Sequence, residues 1–214
     1  MPERGKYFVL EGGEGCGKTW QAKELYDYLT RCGIDCIHTR EPGGTTSAES
    51  IRRLILDPGA DFSMESRFFL FEASRAEIFR KVIVPSLNEG KSILSDRSGY
   101  STLAYQGYGS GIDLNLIRKS NELAMQGISP DLLVIIDISA EKGLEKLTTK
   151  EFGKRDAFES QLLDFHKRVN YGFLKIAEEN PGISVVVPYV ENGQEEMQRE
   201  IRKYVLEKLA RVKV

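Results

Sequence analysis

Apolar residues along this chain fall into short blocks separated by longer amphipathic stretches. Residues 7–11 (Tyr7-Phe8-Val9-Leu10-Glu11) form a β-prone run ending in glycines, and the stretch from about 18 to 32 has helical spacing. Residues 34–39 read as a second strand. Thr46-Ser47-Ala48-Glu49 has capping-box spacing, and Ile51, Leu54 and Ile55 follow at helical intervals. A long helical region is predicted over about 64–89, with Pro85 marking a break or kink. Residues 92–96 form a third strand, followed by a Gly/Ser/Tyr-rich segment. Asp113 suits the N-cap of a helix running to about 125. Residues 132–137 show almost no polar alternation, as expected of a strand buried on both faces. A helix from about 140, a polar Lys/Arg-rich stretch over 148–156, a helix over about 158–179 and a fifth strand at 183–187 complete the alternation. Asn192 with Glu195 can cap a last helix, which carries Met197, Ile201, Val205 and Leu209 on one face.

Strands alternating with helices predict an α/β fold, a five-stranded parallel sheet with helices on both faces. Ligands in such folds sit beyond the carboxyl ends of the strands. The 214 residues suit one domain, and no internal repeat or low-complexity tract divides them. Thirty Lys+Arg against 32 Asp+Glu give a net charge of −2, so no nucleic-acid partner is expected. The longest apolar run, 132–136, is too short to span a bilayer, and the first residues lead straight into a strand with no signal-peptide pattern. Cys16, Cys32 and Cys36 make no disulfide framework, and the C-x₃-C spacing lacks a second Cys/His pair for zinc. A reduced, cytoplasmic protein is expected.

The chemistry starts at Gly12-Gly13-Glu14-Gly15-Cys16-Gly17-Lys18-Thr19, a full G-x-x-x-x-G-K-[ST] motif between the first strand and the first helix. Glycines let the backbone wrap phosphates with N–H groups pointing inward, and the helix start adds partial positive charge. Lys18 reaches β/γ-phosphates, and the Thr19 hydroxyl suits Mg²⁺. Cys16 reads as a small filler. Trp20 is bulky so close to phosphates and is either core packing or a cover over the loop. His38 and His166 are isolated and read as structural. The loop alone leaves the reaction open among switches, motors, transporters and kinases. Asp96 and Arg97 follow the third strand, and Arg40 follows the second, so all three are expected near the loop. Asp96 suits the Mg²⁺ shell, and the arginines suit phosphate groups.

Further segments point to one family. Thr39-Arg40-Glu41-Pro42-Gly43-Gly44-Thr45, Leu70-Phe71-Glu72-Ala73-Ser74-Arg75-Ala76, Asp96-Arg97 with Ser101-Thr102-Leu103-Ala104-Tyr105-Gln106-Gly107, and Pro130-Asp131-Leu132 with Asp137 occur in order. Together with the loop they resemble the bacterial-type thymidylate kinases over most of the chain. The resemblance implies a P-loop nucleoside monophosphate kinase fold, ATP as donor with Mg²⁺, dTMP as acceptor and a homodimer. It implies that Phe71 stacks on thymine, that Arg75 and Thr102 meet the base edge, and that Tyr105 packs where a ribose 2′-hydroxyl would lie. Gln106 falls close by, Arg40 and Arg97 take the acceptor phosphate, and Glu14 lies near the acceptor 3′-hydroxyl.

The family carries an arginine either in the P-loop or in a lid near D-R-F-E. Here the P-loop has none, and the lid, at about 148–158, has Ala157 at the usual position. Arg155, flanked by Lys150 and Lys154, is expected to take that role. Lys18, Arg97, Arg155 and Glu14 form the expected catalytic set. Ser98-Gly99-Tyr100 also departs from the family's aromatic after Asp-Arg. Two other readings stay open on the sequence: a kinase for another pyrimidine monophosphate such as dUMP, and a non-catalytic ATP-binding switch.

Overall fold

A computed structural model describes residues 3–148, 158 and 161–210. Strands β1 (Tyr7–Gly12), β2 (Cys36–Arg40), β3 (Ser92–Asp96), β4 (Leu132–Asp137) and β5 (Ser184–Pro188) form one sheet in the order β2-β3-β1-β4-β5. All neighbouring pairs are parallel, as expected. Parallel neighbours need crossover connections, and helices provide them on both faces.

Strand alternation divides the core in two. Tyr7 and Val9 point to one face with Ile93, Leu133 and Ile135; Phe8 and Leu10 point to the other with Leu94, Val134 and Ile136. The first face is covered by α2 (Thr46–Leu56), α3 (Met64–Ile78), α6 (Leu114–Ala124) and α8 (Leu163–Glu179), through residues such as Ile55, Phe68, Ile117 and Phe173. The second is covered by α1 (Lys18–Arg31) and α9 (Gln194–Ala210), through Ala22, Leu25, Met197 and Ile201. A strand apolar on both sides has no polar alternation, which is why β4 reads as it does.

Several element ends differ from the sequence expectation. The long helical region breaks in two: α3 widens into a π-helical turn at Phe79–Ile83, and α4 (Val84–Asn88) carries Pro85 in its first turn. A proline there forgoes only a bond the helix start lacks anyway. The cap of α2 is Thr45, whose hydroxyl accepts from the Ala48 N–H at 3.1 Å, one residue before Thr46. The Gly/Ser/Tyr-rich segment is helical, with α5 (Gly99–Thr102) running into a second π-helical turn at Leu103–Gly109. α8 begins at Leu163, not 158. Asn192 adopts a left-handed φ of 58°, and α9 opens two residues later at Gln194. α7 (Ala140–Thr148) follows β4. Among the described residues no helix is long and apolar enough to cross a membrane.

Candidate active site

The carboxyl ends of β1, β2 and β3 meet around one cleft. Two backbone bonds extend the ladder past the strands and fix the residues just beyond their ends: Arg97 N–H donates to Leu10 O at 2.9 Å, and Glu41 N–H to Asp96 O at 3.0 Å. The sequence expectation that Arg40 and Arg97 gather near the P-loop therefore has a direct cause. β2 and β3 lie on one side of β1, and β4 and β5 on the other, so the strand order reverses beside β1, which is where ligands bind in such sheets.

The loop between β1 and α1 needs its glycines. Gly12, Gly15 and Gly17 have φ of 146°, 71° and 84°. A Cβ on Gly12 would lie 2.6 Å from Ile136 O, and one on Gly15 would lie 2.3 Å from Gly143 O. Gly17 caps α1 without a side chain, and the first turn carries no acidic residue. The first N–H groups of α1 are thus left for an anion. Lys18 is buried and donates to Gly13 O at 3.3 Å, lying back across the loop. Cys16 is buried in the core beneath it, which agrees with the filler reading. Beside the loop, Thr19 Oγ1 donates to Asp96 Oδ2 at 2.6 Å, while Asp96 Oδ1 is buried without a hydrogen-bond partner among the described residues.

Gly143 in α7 is a constraint that sequence reading missed. A Cβ there would lie 2.3 Å from the Glu14 carbonyl oxygen, so the helix backbone braces the loop from behind. Gly143→Ala is expected to push the loop off its phosphate-binding geometry and raise KM for ATP by about tenfold or more, a loss of roughly 1.4 kcal/mol or more. An unchanged KM would show that the loop yields without cost.

Arg97 turns the chain out of β3 with a left-handed φ of 73°. Ser95 Oγ donates to its carbonyl at 2.7 Å and steadies that turn. Its guanidinium donates to Glu14 Oε1 at 2.8 Å and Ser101 Oγ at 3.0 Å, and it lies 5.1 Å from the Tyr105 ring centroid. The Tyr105 hydroxyl donates to the same Glu14 oxygen at 2.5 Å. Burial alone would raise the Glu14 carboxyl, but Arg97, Lys18 and the Tyr105 hydroxyl outweigh it and hold its pKa at about 2. Glu11, unremarkable in sequence, is buried below. It accepts from Ser98 N–H at 2.8 Å, Ser101 N–H at 2.9 Å and Ser101 Oγ at 2.6 Å, tying β1 to the segment that carries Arg97 and Tyr105.

Arg75 and Thr102 sit elsewhere than a simple pocket-lining picture suggests. Arg75 is almost completely buried behind the wall. It donates to Glu41 Oε2, Asn121 Oδ1 and Thr102 Oγ1, each at 2.8 Å, and to Glu72. Four of its five N–H groups are engaged, which leaves one on Nη2 without a partner among the described residues. Burial pushes the Glu41 carboxyl up to about 7, with Glu11 and Glu72 adding to the rise and Arg75 opposing it.

The cleft has a volume of about 750 Å³. Glu14, Lys18, Arg40, Phe71, Arg97, Tyr105 and Gln106 line it, together with Glu41 and Arg52, which sequence reading did not single out. Phe71 faces Phe158 with ring centroids 5.7 Å apart, and Tyr105 meets Phe158 at 6.0 Å. Gln106 is buried, with Nε2 lacking a hydrogen-bond partner among the described residues. Arg52 donates to Pro42 O at 2.7 Å, and Arg40 donates to Glu49 at 3.1 Å. Arg155, Lys150, Lys154 and Ala157 lie outside the described residues, as does most of the 148–158 segment. His38 stacks on Tyr26 and lies outside the cleft.

A phosphate loop continuous with a bay lined by arginine and aromatic side chains defines a P-loop nucleotide kinase. The family model described as thymidylate kinase matches residues 10–204. The thymidylate kinase of Halothermothrix orenii is 39% identical over 199 residues, covering 92% of this chain and 95% of its own. That of Carboxydothermus hydrogenoformans is 44% identical, covering 82% and 86%. The crystal structure of thymidylate kinase from Ehrlichia chaffeensis superposes with a TM-score of 0.76 at 33% identity, covering 94% of this chain and 99% of that one. The chain belongs to the thymidylate kinase family, within the nucleoside monophosphate kinases.

Proposed function

We propose that this enzyme transfers the γ-phosphoryl group of ATP to dTMP, giving dTDP and ADP. The observation that carries this reading is the single cleft shared by the P-loop and by Arg97, Tyr105 and Phe71. A phosphate oxygen of dTMP attacks the γ-phosphorus in line, and the bond to the β-phosphate oxygen breaks as ADP leaves. Lys18 and Arg97 stabilise charge on the transferring group, since positioning and electrostatics supply most of the catalysis. Glu14, held ionised by Arg97, accepts from the acceptor's 3′-hydroxyl. Phe71 carries the base, Arg75 is assigned to its edge through its remaining N–H with Thr102 holding that guanidinium, and Tyr105 and Gln106 close on the sugar. Arg40 joins Arg97 on the acceptor phosphate.

The Thr19 hydroxyl and the unpartnered Asp96 oxygen fit Mg²⁺, a hard cation that keeps waters and binds through one or two protein oxygens. When bound, the ion neutralises charge on the donor's β- and γ-phosphate oxygens. Arg155 is assigned the lid arginine's role. Arg155→Ala should then lower turnover more than Lys150→Ala does; equal small effects would remove that assignment.

Exposed Leu54, Phe69, Leu116 and Leu123, on α2, α3 and α6, support a homodimer built on that face. Light scattering on the purified protein tests this directly. Three free cysteines fit a reduced cytoplasmic setting. The function as a whole is tested by an acceptor scan with ATP, comparing dTMP, dUMP, dCMP, dGMP and UMP. Turnover should be strongest with dTMP, and equal turnover with dUMP would replace dTMP by a broader pyrimidine acceptor.

A further inference from the structure

The sheet order gives the cleft two ends. Residues following β2, such as Glu41 and Pro42, lie on one side of the P-loop; residues following β5, such as Tyr189 and Gln194, must lie on the other. The first side is the acceptor's bay. A donor whose phosphates fill the loop must send its nucleoside to the second side, over β4, β5 and the start of α9.

Two aromatic side chains border the cleft outside the acceptor's bay, Tyr189 just after β5 and Trp20 in the first turn of α1 beside the loop. Tyr189 is already engaged: Lys146 Nζ donates to its hydroxyl at 2.6 Å and lies 4.4 Å from its ring centroid. Trp20 is 42% exposed although it borders the cleft. Its place in the first turn of α1 explains this. Thr19 turns toward Asp96, and Gln21 turns inward to bind Gln194 O at 2.9 Å, so the residue between them projects away from both partners, outward from the first turn at the edge of the cleft.

We propose that the Trp20 indole is the platform on which the donor nucleobase packs, making Trp20 a donor-binding residue of the kinase. The inference rests on the reading of the P-loop as the site of the nucleoside triphosphate donor. An indole face is apolar, rigid and polarisable, and a base laid on it removes both surfaces from water. Aromatic stacking of this kind accepts any base through its π-face, so Trp20 contributes affinity for the donor more than choice of its base.

Trp20 is the only tryptophan in the chain, so its emission reports on this contact without mutation. The wild-type protein is titrated with ATP and, separately, with inorganic tripolyphosphate, which fills the loop but carries no base. ATP is expected to change the emission at least about threefold more than tripolyphosphate does. In parallel, Trp20→Ala is expected to raise KM for ATP about tenfold, as loss of a stacked base would. KM for dTMP should hold, and Trp20→Phe should restore most of the loss. Equal emission changes with the two ligands, or an ATP KM within about twofold of wild type in Trp20→Ala, would overturn the proposal. Failure of the kinase reading shows separately, as absence of acceptor-dependent ADP release by the wild-type enzyme.

Discussion

Arg97→Ala is expected to lower dTMP-dependent turnover by about three orders of magnitude while ATP still binds, the scale seen when a transition-state arginine is removed. The cause lies in how the side chain is held. Its guanidinium is fixed by Glu14 Oε1 at 2.8 Å and Ser101 Oγ at 3.0 Å, beside the P-loop and over Tyr105. Charge that is already oriented needs no reorganisation as the phosphoryl group moves. Arg97→Lys keeps the charge but loses the planar fork, so it should recover only a small part of the rate. ATP affinity, measured by calorimetry, should stay close to wild type in both variants, because Lys18 and the loop backbone remain. Turnover within about tenfold of wild type in Arg97→Ala would remove Arg97 from the transition state.

The second large effect is on stability. Arg75→Leu is expected to cost about 3–5 kcal/mol, because it strands two buried carboxylates, Glu41 and Glu72. For a chain of this size that corresponds to a fall in Tm of roughly 10 °C or more. The same cluster gives a pH signature. The folded Glu41 carboxyl is pushed up to about 7 from an ordinary 4.5, so the folded state binds its proton more tightly than the unfolded state. Its contribution to stability is therefore fully present below about pH 4.5 and is lost as pH rises through about 7. Glu14, held at about 2, works in the opposite direction: its contribution is present above about 4.5 and is lost as pH falls toward 2. Glu41→Gln removes the first contribution alone. Its Tm relative to wild type should rise between pH 5 and pH 8 (roughly the titration window). A difference that stays flat across that range would contradict the raised Glu41 value.

Much of this architecture was legible in the chain because the signals are local. The five strands announce themselves as apolar blocks, and each strand end found in the structure lies within two residues of its expected place. The P-loop is contiguous, so its position after β1 and before α1 comes from pattern alone. The segment at 99–109 did not read as helix, since its Gly, Ser and Tyr residues have weak helical preference; packing against α8 and the Glu11 carboxylate decide it. Likewise, Glu41 and Arg75 are 34 positions apart and meet only when β2 and α3 fold together. Nothing in their sequence neighbourhoods marks Glu41 as a buried partner. Gly143 braces the P-loop across 128 positions from Gly15, a contact that exists only once α7 packs behind the loop. Arg97 is the intermediate case. Its place after β3 is readable, but its left-handed turn and its grip on Glu14 are not.

The most direct test of the central claim is ADP release by the purified enzyme with ATP and Mg²⁺, measured with and without dTMP. The account requires little ADP release with ATP alone and strong release on addition of dTMP, with dTDP formed in equal amount. Tight ATP binding without any dTMP-dependent ADP release would contradict it and would leave the protein a nucleotide-binding switch.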